Sequence, residues 1–279
     1  MAGRRTGTRR GPVRRARLRR TTKWAEAAER RRLEQDLRRG LSEDGFELHY
    51  QPRVALGSGA TVGAEALLRW PNRQRTGLSP ARFLPLAERS SLGTNLGGWV
   101  LRRACVEAGS WPGAATVSVN ISPRHLVDGA VLEHVGVALD ASGLAPERLE
   151  IELPEAVLLD AGVEVLLTLA ALQDLGVGVA LDNFGAGHAS LGVPLRLPLT
   201  ALKLDRSLIR ALPYAAEDAA IVRALVDLAH ALGLKVVATG LESGAQRSFL
   251  ARIGCDEGQG HLVSAALPLD QFREHLLGT

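Results

Sequence analysis

The sequence predicts an α/β fold, and within that class a (β/α)8 barrel, for most of the 279 residues. Three observations support this prediction. Short β-branched stretches alternate with longer apolar stretches of helical length, the chain has the length of such a barrel, and polar side chains recur where the strands end. Because parallel barrel strands bring their carboxyl ends to one edge, we expect a functional site at that edge.

The composition is that of an ordinary globular protein, with 46% hydrophobic and 23% charged residues. No apolar run reaches the length of a bilayer-spanning helix, so no membrane span is predicted. Cys105 and Cys255 show no paired spacing, which favours two free thiols in a reducing compartment. The expected localisation is therefore cytoplasmic.

The net charge of +4 hides an uneven distribution. Residues 1–23 contain nine Arg, one Lys and no acid, so the remainder of the chain is net negative. We expect residues 1–23 to form a disordered basic tail, because they lack apolar periodicity. A merely solvated tail is favoured, since basic runs are usually solvated, and an arm that binds nucleic acid is the alternative.

The order of elements follows from periodicity and from helix-ending residues. Residues 24–40 predict an N-terminal helix ended by Gly40 at its C′ position, and the barrel domain is then expected over residues 41–279. Strands are predicted at 46–50, 61–70, 115–122, 149–153, 177–182, 201–205 and 235–239. Helices are predicted at 82–88, 92–108, 157–175, 221–232 and 245–253.

Two local details refine this outline. A Gly/Ser turn at 57–59 is expected to join the first two strands. In the helix at 221–232, the spacing of apolar residues predicts a buried face made of Ile221, Leu225, Leu228 and Leu232.

Polar residues recur at the ends of the apolar runs, and a barrel would bring them together. They are Glu65, Asn120, Glu152, Asp182, Lys203 and Gln259. Carboxylate oxygens gathered at one place suit hard cations such as Mg²⁺ or Mn²⁺, and a lysine beside them could orient water or offset phosphate charge. Each alone could be an ordinary strand-end residue, but six at matching positions indicate a site. Histidine and cysteine spacings do not fit a zinc site.

Several ordered motifs carry a resemblance to a known family. They are Gln51-Pro52, Glu65-Ala-Leu-Leu-Arg-Trp70, Asn120-Ile-Ser122, Glu150-Ile-Glu152, Asp182-Asn-Phe-Gly185, Lys203-Leu-Asp205 and Gln259-Gly260. Over residues 33–269 the chain resembles the EAL domain family. The resemblance implies a modified TIM (β/α)8 barrel that binds cyclic di-GMP. It also implies that active members hydrolyse this nucleotide to linear pGpG with two Mg²⁺ or Mn²⁺ ions.

The resemblance assigns roles to residues of this chain. It implies that Glu65, Asn120, Glu152 and Asp182 are metal ligands, and that Lys203 holds the nucleophilic water, with Glu65 as the second catalytic residue. Ligand-binding roles are implied for Gln51, Arg69, Lys203 and Gln259. Glu155 is expected to anchor the loop after Phe184.

Two departures from the family pattern fall on metal-ligand positions. Asn183 stands where the family has a second aspartate, and Thr239 stands where active members have a glutamate. Since affinity for hard cations depends on ligand charge, the loss of two acids predicts the loss of at least one metal site. Glu242 lies one helical turn too far along to replace Thr239 unless the loop between them is shifted.

The sequence therefore predicts a catalytically degenerate EAL-domain protein of cyclic di-GMP signalling, acting as a receptor for the nucleotide or as a protein-interaction module. An active Mg²⁺- or Mn²⁺-dependent phosphodiesterase is the alternative, and nucleic-acid binding through the Arg-rich tail is the second alternative. Mg²⁺ or Mn²⁺ is the expected cofactor, with binding weakened or lost. The partners considered are cyclic di-GMP, a protein partner and a second copy of the chain.

Overall fold

The computed structural model describes residues 28–71, 79–155, 157, 162–186 and 197–278. The basic tail at 1–23 and the predicted start of the first helix at 24–27 lie outside these residues. The hypothesis of a nucleic-acid-binding arm concerns only that outside segment.

Eight strands close into a mixed barrel, which confirms the predicted fold class. Strands β2 to β8 are parallel and paired in chain order, while β1 closes the barrel by pairing antiparallel with both β2 and β8. A two-residue strand, β9, pairs with β1. The strands are β1 (Glu47–Ala55), β2 (Thr61–Arg69), β3 (Thr116–Asn120), β4 (Leu149–Pro154), β5 (Gly178–Phe184), β6 (Ala201–Leu204), β7 (Lys235–Thr239), β8 (Glu257–Gln259) and β9 (Leu267–Pro268).

Helices cover the outside of the barrel. They are α1 (28–42), α2 (Pro80–Ala87), α3 (Leu92–Gly109), α4 (Pro123–Val127), α5 (Ala130–Ser142), α6 (Val163–Asp174), α7 (Arg206–Ile209), α8 (Ala216–Ala231), α9 (Gly244–Arg252) and α10 (Leu269–Leu277). Across the described residues, none of the helices is long and apolar enough to cross a membrane. Cys105 and Cys255 are free and buried, as predicted.

The β1–β2 hairpin sets the direction of β1. Its turn follows Ala55, and the pairing runs from Glu47 opposite Arg69 to Val54 opposite Thr61. Arg69 lies at the carboxyl end of β2, so β1 starts at the site end of the barrel and descends towards the other end. Because side chains alternate along a strand, Gln51 and Arg53 share the face of β1 that points into the barrel.

Helix α1 continues through Gly40 to residue 42, so the prediction that Gly40 ends it is wrong. The glycine serves close packing instead, because a Cβ at Gly40 would lie 2.9 Å from Cε2 of Phe46. Phe46 in turn contacts Trp70, with 5.3 Å between the ring centroids. Leu33 and Leu37 of α1 are part of the hydrophobic core, which ties the helix to the barrel.

The buried face of α8 differs from the predicted one. The structure buries Val222, Leu225, Val226 and Ala229, whereas Ile221 is 49% exposed. Of the four predicted residues, Leu225 is therefore buried, Leu228 and Leu232 are half-buried and Ile221 is exposed. The predicted helix at 157–175 begins as α6 only at Val163, and residues 156 and 158–161 are outside the described residues.

Candidate functional site

The six polar side chains that follow or close the strands do converge at the carboxyl end of the barrel. Lys203 on β6 is fully buried at their centre. Its Nζ lies 2.5 Å from Oε1 of Glu152, 3.0 Å from Oε2 of Glu65 and 3.6 Å from Oδ1 of Asp182. These carboxylates come from β4, β2 and β5, so strand order alone brings them around one ammonium group.

Glu65 is the most heavily hydrogen-bonded of the three acids. Asn120 donates from Nδ2 to its Oε1 at 2.7 Å, and Gln259 donates from Nε2 to its Oε2 at 2.6 Å. Lys203 donates to the same Oε2. Five of the six predicted strand-end residues are therefore linked directly, through Glu65, Lys203 and Glu152, with Asp182 at the edge of the cluster.

The surroundings of the acids shift their pKa values in different directions. Burial raises the pKa of Glu152 to about 8, and the charge of Glu65 adds to that rise, while Lys203 opposes it. Burial would also raise the pKa of Glu65, but Lys203 and the hydrogen bond from Gln259 outweigh it, so this pKa is lowered. Burial alone would lower the pKa of Lys203, but the charges of the three neighbouring acids outweigh burial, so this pKa is raised. The site thus holds a permanent ammonium among acids of unequal strength.

The side chains at the two positions that depart from the family pattern form hydrogen bonds within the chain. Asn183 donates from Nδ2 to Oδ2 of Asp182 at 2.6 Å, and its φ of 57° lies in the left-handed region that asparagine tolerates. Thr239 donates its hydroxyl to the carbonyl oxygen of Leu204 at 2.8 Å. Neither side chain adds an anionic oxygen to the cluster.

Arg69 lines a cavity of about 300 Å³ beside the acids. The same cavity is bounded by Asn120, Asp182 and Asn183, with apolar walls from α2 and α3. Arg69 is half-buried, and its Nη1 donates to the carbonyl oxygen of Leu68 at 3.0 Å. Gln51, also half-buried, donates from Nε2 to the carbonyl oxygen of Ser264 at 3.3 Å.

Glu155 contacts the start of the loop that follows β5. Its Oε2 accepts a hydrogen bond from the backbone N–H of Gly185 at 3.2 Å. Gly185 has a φ of 92°, and a Cβ there would lie 2.5 Å from Cδ1 of Leu208, so the turn requires a glycine. Residues 187–196 are outside the described part of the chain.

The side chains present do not fit the pair of divalent cations that the resemblance implies. Within the described ranges, no group of three or more His, Cys, Asp and Glu side chains is arranged to hold a metal ion. The acids close on Lys203 instead, and Asn120, Asn183 and Gln259 donate to them. Among the described residues, neither oxygen of Glu152 has a hydrogen-bond partner, and Oε1 has the ion pair with Lys203. A cation at this position would compete with Lys203 and the amide donors for the carboxylate oxygens.

Sequence reasoning missed a second charged cluster, at the other end of the barrel. Arg53 is 3% exposed and lies 2.5 Å from Glu150 Oε1 and 2.6 Å from Glu257 Oε2. Its Nη2 also donates to Thr116 Oγ1 at 2.9 Å. The alternation of β1 could have revealed it, because Arg53 shares the inward face with Gln51.

Comparison with known proteins agrees with the motifs. The EAL domain model matches residues 34–266. The bifunctional diguanylate cyclase/cyclic di-GMP phosphodiesterase MucR of Pseudomonas aeruginosa is 39% identical over 252 residues, which are 89% of this chain and 37% of MucR. The cyclic di-GMP phosphodiesterase NbdA of the same species is 39% identical over 254 residues, covering 90% of this chain and 32% of NbdA. The chain thus spans about a third of the length of these relatives.

Solved structures show the same fold. The MucR phosphodiesterase in complex with c-di-GMP superimposes with a TM-score of 0.80 at 39% identity, covering 86% of this chain and 99% of that one. The FimX EAL domain of Xanthomonas citri, in complex with c-di-GMP, gives a TM-score of 0.80 at 28% identity, covering 88% of this chain and 96% of that one. Both neighbours carry the nucleotide on a barrel of this kind.

Proposed function

The chain belongs to the EAL domain family, and from this premise we propose that it binds cyclic di-GMP at the carboxyl end of its barrel without hydrolysing it. Support for binding comes from two structural neighbours that contain this nucleotide. Support for the lack of turnover comes from the chain itself, at positions 183 and 239. The proposal concerns this domain, since the longer relatives contain further sequence.

The observation that carries the proposal is that the side chains of Asn183 and Thr239 hydrogen-bond within the chain. Asn183 donates to Asp182, and Thr239 donates to the backbone of Leu204. Hydrolysis of a phosphodiester by two cations needs anionic ligands that hold both ions about 3.5–4 Å apart, so that they stabilise the attacking and the leaving oxygen. With neutral side chains engaged elsewhere, the second ion has no anionic ligand from these two positions.

The groups proposed to bind the nucleotide remain accessible. Asn120 and Asn183 are exposed, and Arg69 and Gln51 are half-buried. Arginine is suited to phosphate because its planar guanidinium offers several parallel N–H donors. Lys203 and Gln259 lie beneath this surface and bind the acids, so we propose for them a supporting role. Glu155 is proposed to hold the loop after β5 through its hydrogen bond to Gly185.

Two measurements on the purified protein test the proposal. We expect no pGpG from cyclic di-GMP with Mg²⁺ or Mn²⁺, and saturable binding of cyclic di-GMP by calorimetry. The double variant Asn183→Asp/Thr239→Glu serves as the positive control, because it restores both acids. Turnover by the unmodified chain at a rate comparable to that of the double variant would overturn the proposal.

The alternative is a working phosphodiesterase, and one observation favours it. Glu65, Asn120, Glu152, Asp182 and Lys203 lie together at one end of the barrel, as that activity requires. The number of bound ions discriminates the two functions: two Mn²⁺ per chain would support the enzyme, and one or none would count against it. If calorimetry detects no nucleotide, the remaining candidate is an interaction module for a protein partner or a second copy of the chain.

A further inference from the structure

We propose that this chain holds cyclic di-GMP without a metal ion, using Asn183, Asn120 and Arg69 as direct donors to phosphate and Lys203 as a built-in counter-ion for the acids. This inference rests on the proposed binding of cyclic di-GMP. It adds that binding requires no metal cofactor and that Asn183 donates to phosphate.

The first step is the internal neutralisation of the acids. Lys203 lies within ion-pair distance of Glu65, Glu152 and Asp182 and is fully buried among them. A buried ammonium with three acid neighbours supplies the positive charge that a cation would otherwise supply. The lysine is covalently tethered, so its charge is present at every metal concentration.

The second step concerns the two asparagines. A side-chain amide nitrogen carries two N–H groups. Asn120 has one described hydrogen bond from this nitrogen, to Glu65, and Asn183 has one, to Asp182. Each amide therefore holds an acid with one N–H and has a second N–H for an anionic oxygen. An aspartate at 183 would offer phosphate an acceptor and a negative charge instead.

The third step is the position of these donors relative to the cavity. Asn120, Asn183 and Arg69 line the same cavity of about 300 Å³. The two asparagines are exposed, whereas Glu65 and Asp182 are each 8% exposed and Glu152 is fully buried. A phosphate entering the cavity would meet these donors together with Asp182, which also lines it, whereas Glu65 and Glu152 do not line the cavity. Hydrogen bonds to a charged acceptor are the stronger kind, which suits phosphate binding by neutral amides and one arginine.

The test separates the nucleotide from the metal. Cyclic di-GMP is titrated into the full chain by calorimetry, once with EDTA and once with Mn²⁺ at matched ionic strength. We expect the two dissociation constants to agree within about two-fold, since no ion takes part. Mn²⁺ alone, followed by electron paramagnetic resonance, is expected to stay free in solution.

Asn183→Asp is the decisive variant. It exchanges a donor for a negative charge beside Asp182, so we expect its affinity for cyclic di-GMP in EDTA to fall about ten-fold or more, with recovery when Mn²⁺ is added. Asn95→Asp is the matched control, because it makes the same exchange at an exposed position on α3 that does not line the cavity. Its affinity should stay within about two-fold of the unmodified chain.

The outcomes distinguish the two proposals. Nucleotide binding that requires Mn²⁺, or tight Mn²⁺ binding by the unmodified chain, overturns the metal-free site. An Asn183→Asp variant that binds in EDTA as well as the unmodified chain removes Asn183 from the phosphate contacts. If no nucleotide binds in either buffer, the proposed ligand is wrong, and the Mn²⁺ titration still decides whether the acids are neutralised internally.

Discussion

Glu152 is the side chain on which pH acts most strongly at the site. It is fully buried, and its pKa is raised from its ordinary value of 4.5 to about 8 by burial and by Glu65. A carboxyl with a higher pKa in the folded chain binds more protons when folded than when unfolded. The folded state therefore loses stability as pH rises from about 4.5 towards about 8. Asp182 shifts in the same direction, chiefly through burial.

We expect the protein in EDTA to be less stable at pH 8 than at pH 6, by on the order of 2 kcal/mol. Glu152→Gln keeps the shape and removes the titration, so it should flatten this slope. Thermal unfolding at the two pH values, for both proteins, measures the difference. A slope that persists unchanged in the variant would place the titrating group elsewhere.

At the residue scale, the sequence predicted which residues form the site and that they lie together, but not their hydrogen-bond and ion-pair partners. The positions of Glu65, Asn120, Asp182 and Lys203 followed from strand ends. The hydrogen bonds of Asn183 and Thr239 did not, because side-chain rotamers depend on neighbours that lie far apart in the chain. The same reason explains why the single charge of Lys203 was assigned to water or phosphate and not to three acids.

At the scale of elements, the close approach of two strands explains a glycine that the sequence left unexplained. Gly63 on β2 pairs with Thr116 on β3, and a Cβ at Gly63 would lie 2.3 Å from the threonine Oγ1 and 2.6 Å from its carbonyl oxygen. The backbone oxygen cannot move without disturbing the β2–β3 pairing. Because Glu65 is two residues further along β2, this pairing also fixes the height of Glu65 relative to Asn120.

Gly63→Ala is expected to destabilise the fold by about 1–3 kcal/mol through overpacking against β3. Gly57→Ala is the control, since nothing lies within 4 Å of a Cβ at that position and its change should be within about 0.5 kcal/mol. Chemical denaturation of both variants provides the comparison. Equal stability of the two would show that β3 yields readily at Thr116.

Sequence periodicity located most elements but not their faces or exact ends. The buried face of α8 contains Leu225, as predicted, together with Val222, Val226 and Ala229, so a search for large apolar side chains found only part of it. Gly40 looked like a helix end, yet its role is contact with Phe46. The stretch Glu257-Gly-Gln259 lacks β-branched residues and was not predicted as a strand, although pairing with β7 and β1 makes it one.

For the whole molecule, the barrel has a charged cluster inside each end. Lys203 lies among acids at the carboxyl end, and Arg53 lies between Glu150 and Glu257 at the other end. The barrel class followed from the alternation of strands and helices. The Arg53 cluster could not be predicted without the strand order, because it joins β1 to β3, β4 and β8 across the closed barrel.

Arg53→Met should cost about 3–5 kcal/mol, because it removes the buried cation that lies closest to both Glu150 and Glu257. Lys235→Met is the control: its Nζ lies 3.9 Å from Glu257 but its side chain is 70% exposed, so we expect at most about 1 kcal/mol. Denaturation midpoints of the two variants test this. A loss at Arg53 no larger than at Lys235 would mean that water reaches the acids when the arginine is removed.

The hairpin turn after β1 has a practical consequence. Because β1 descends from the site end, the turn at 56–58 lies at the opposite end of the barrel from Asn183 and Arg69. Gly57 has open space around it, so the chain can be interrupted there without displacing a neighbour. A fluorescent protein inserted after Gly57 would be connected to the end of β1, the strand that contains Gln51. The turn is therefore the place at which to build an optical reporter of whatever the opposite end binds.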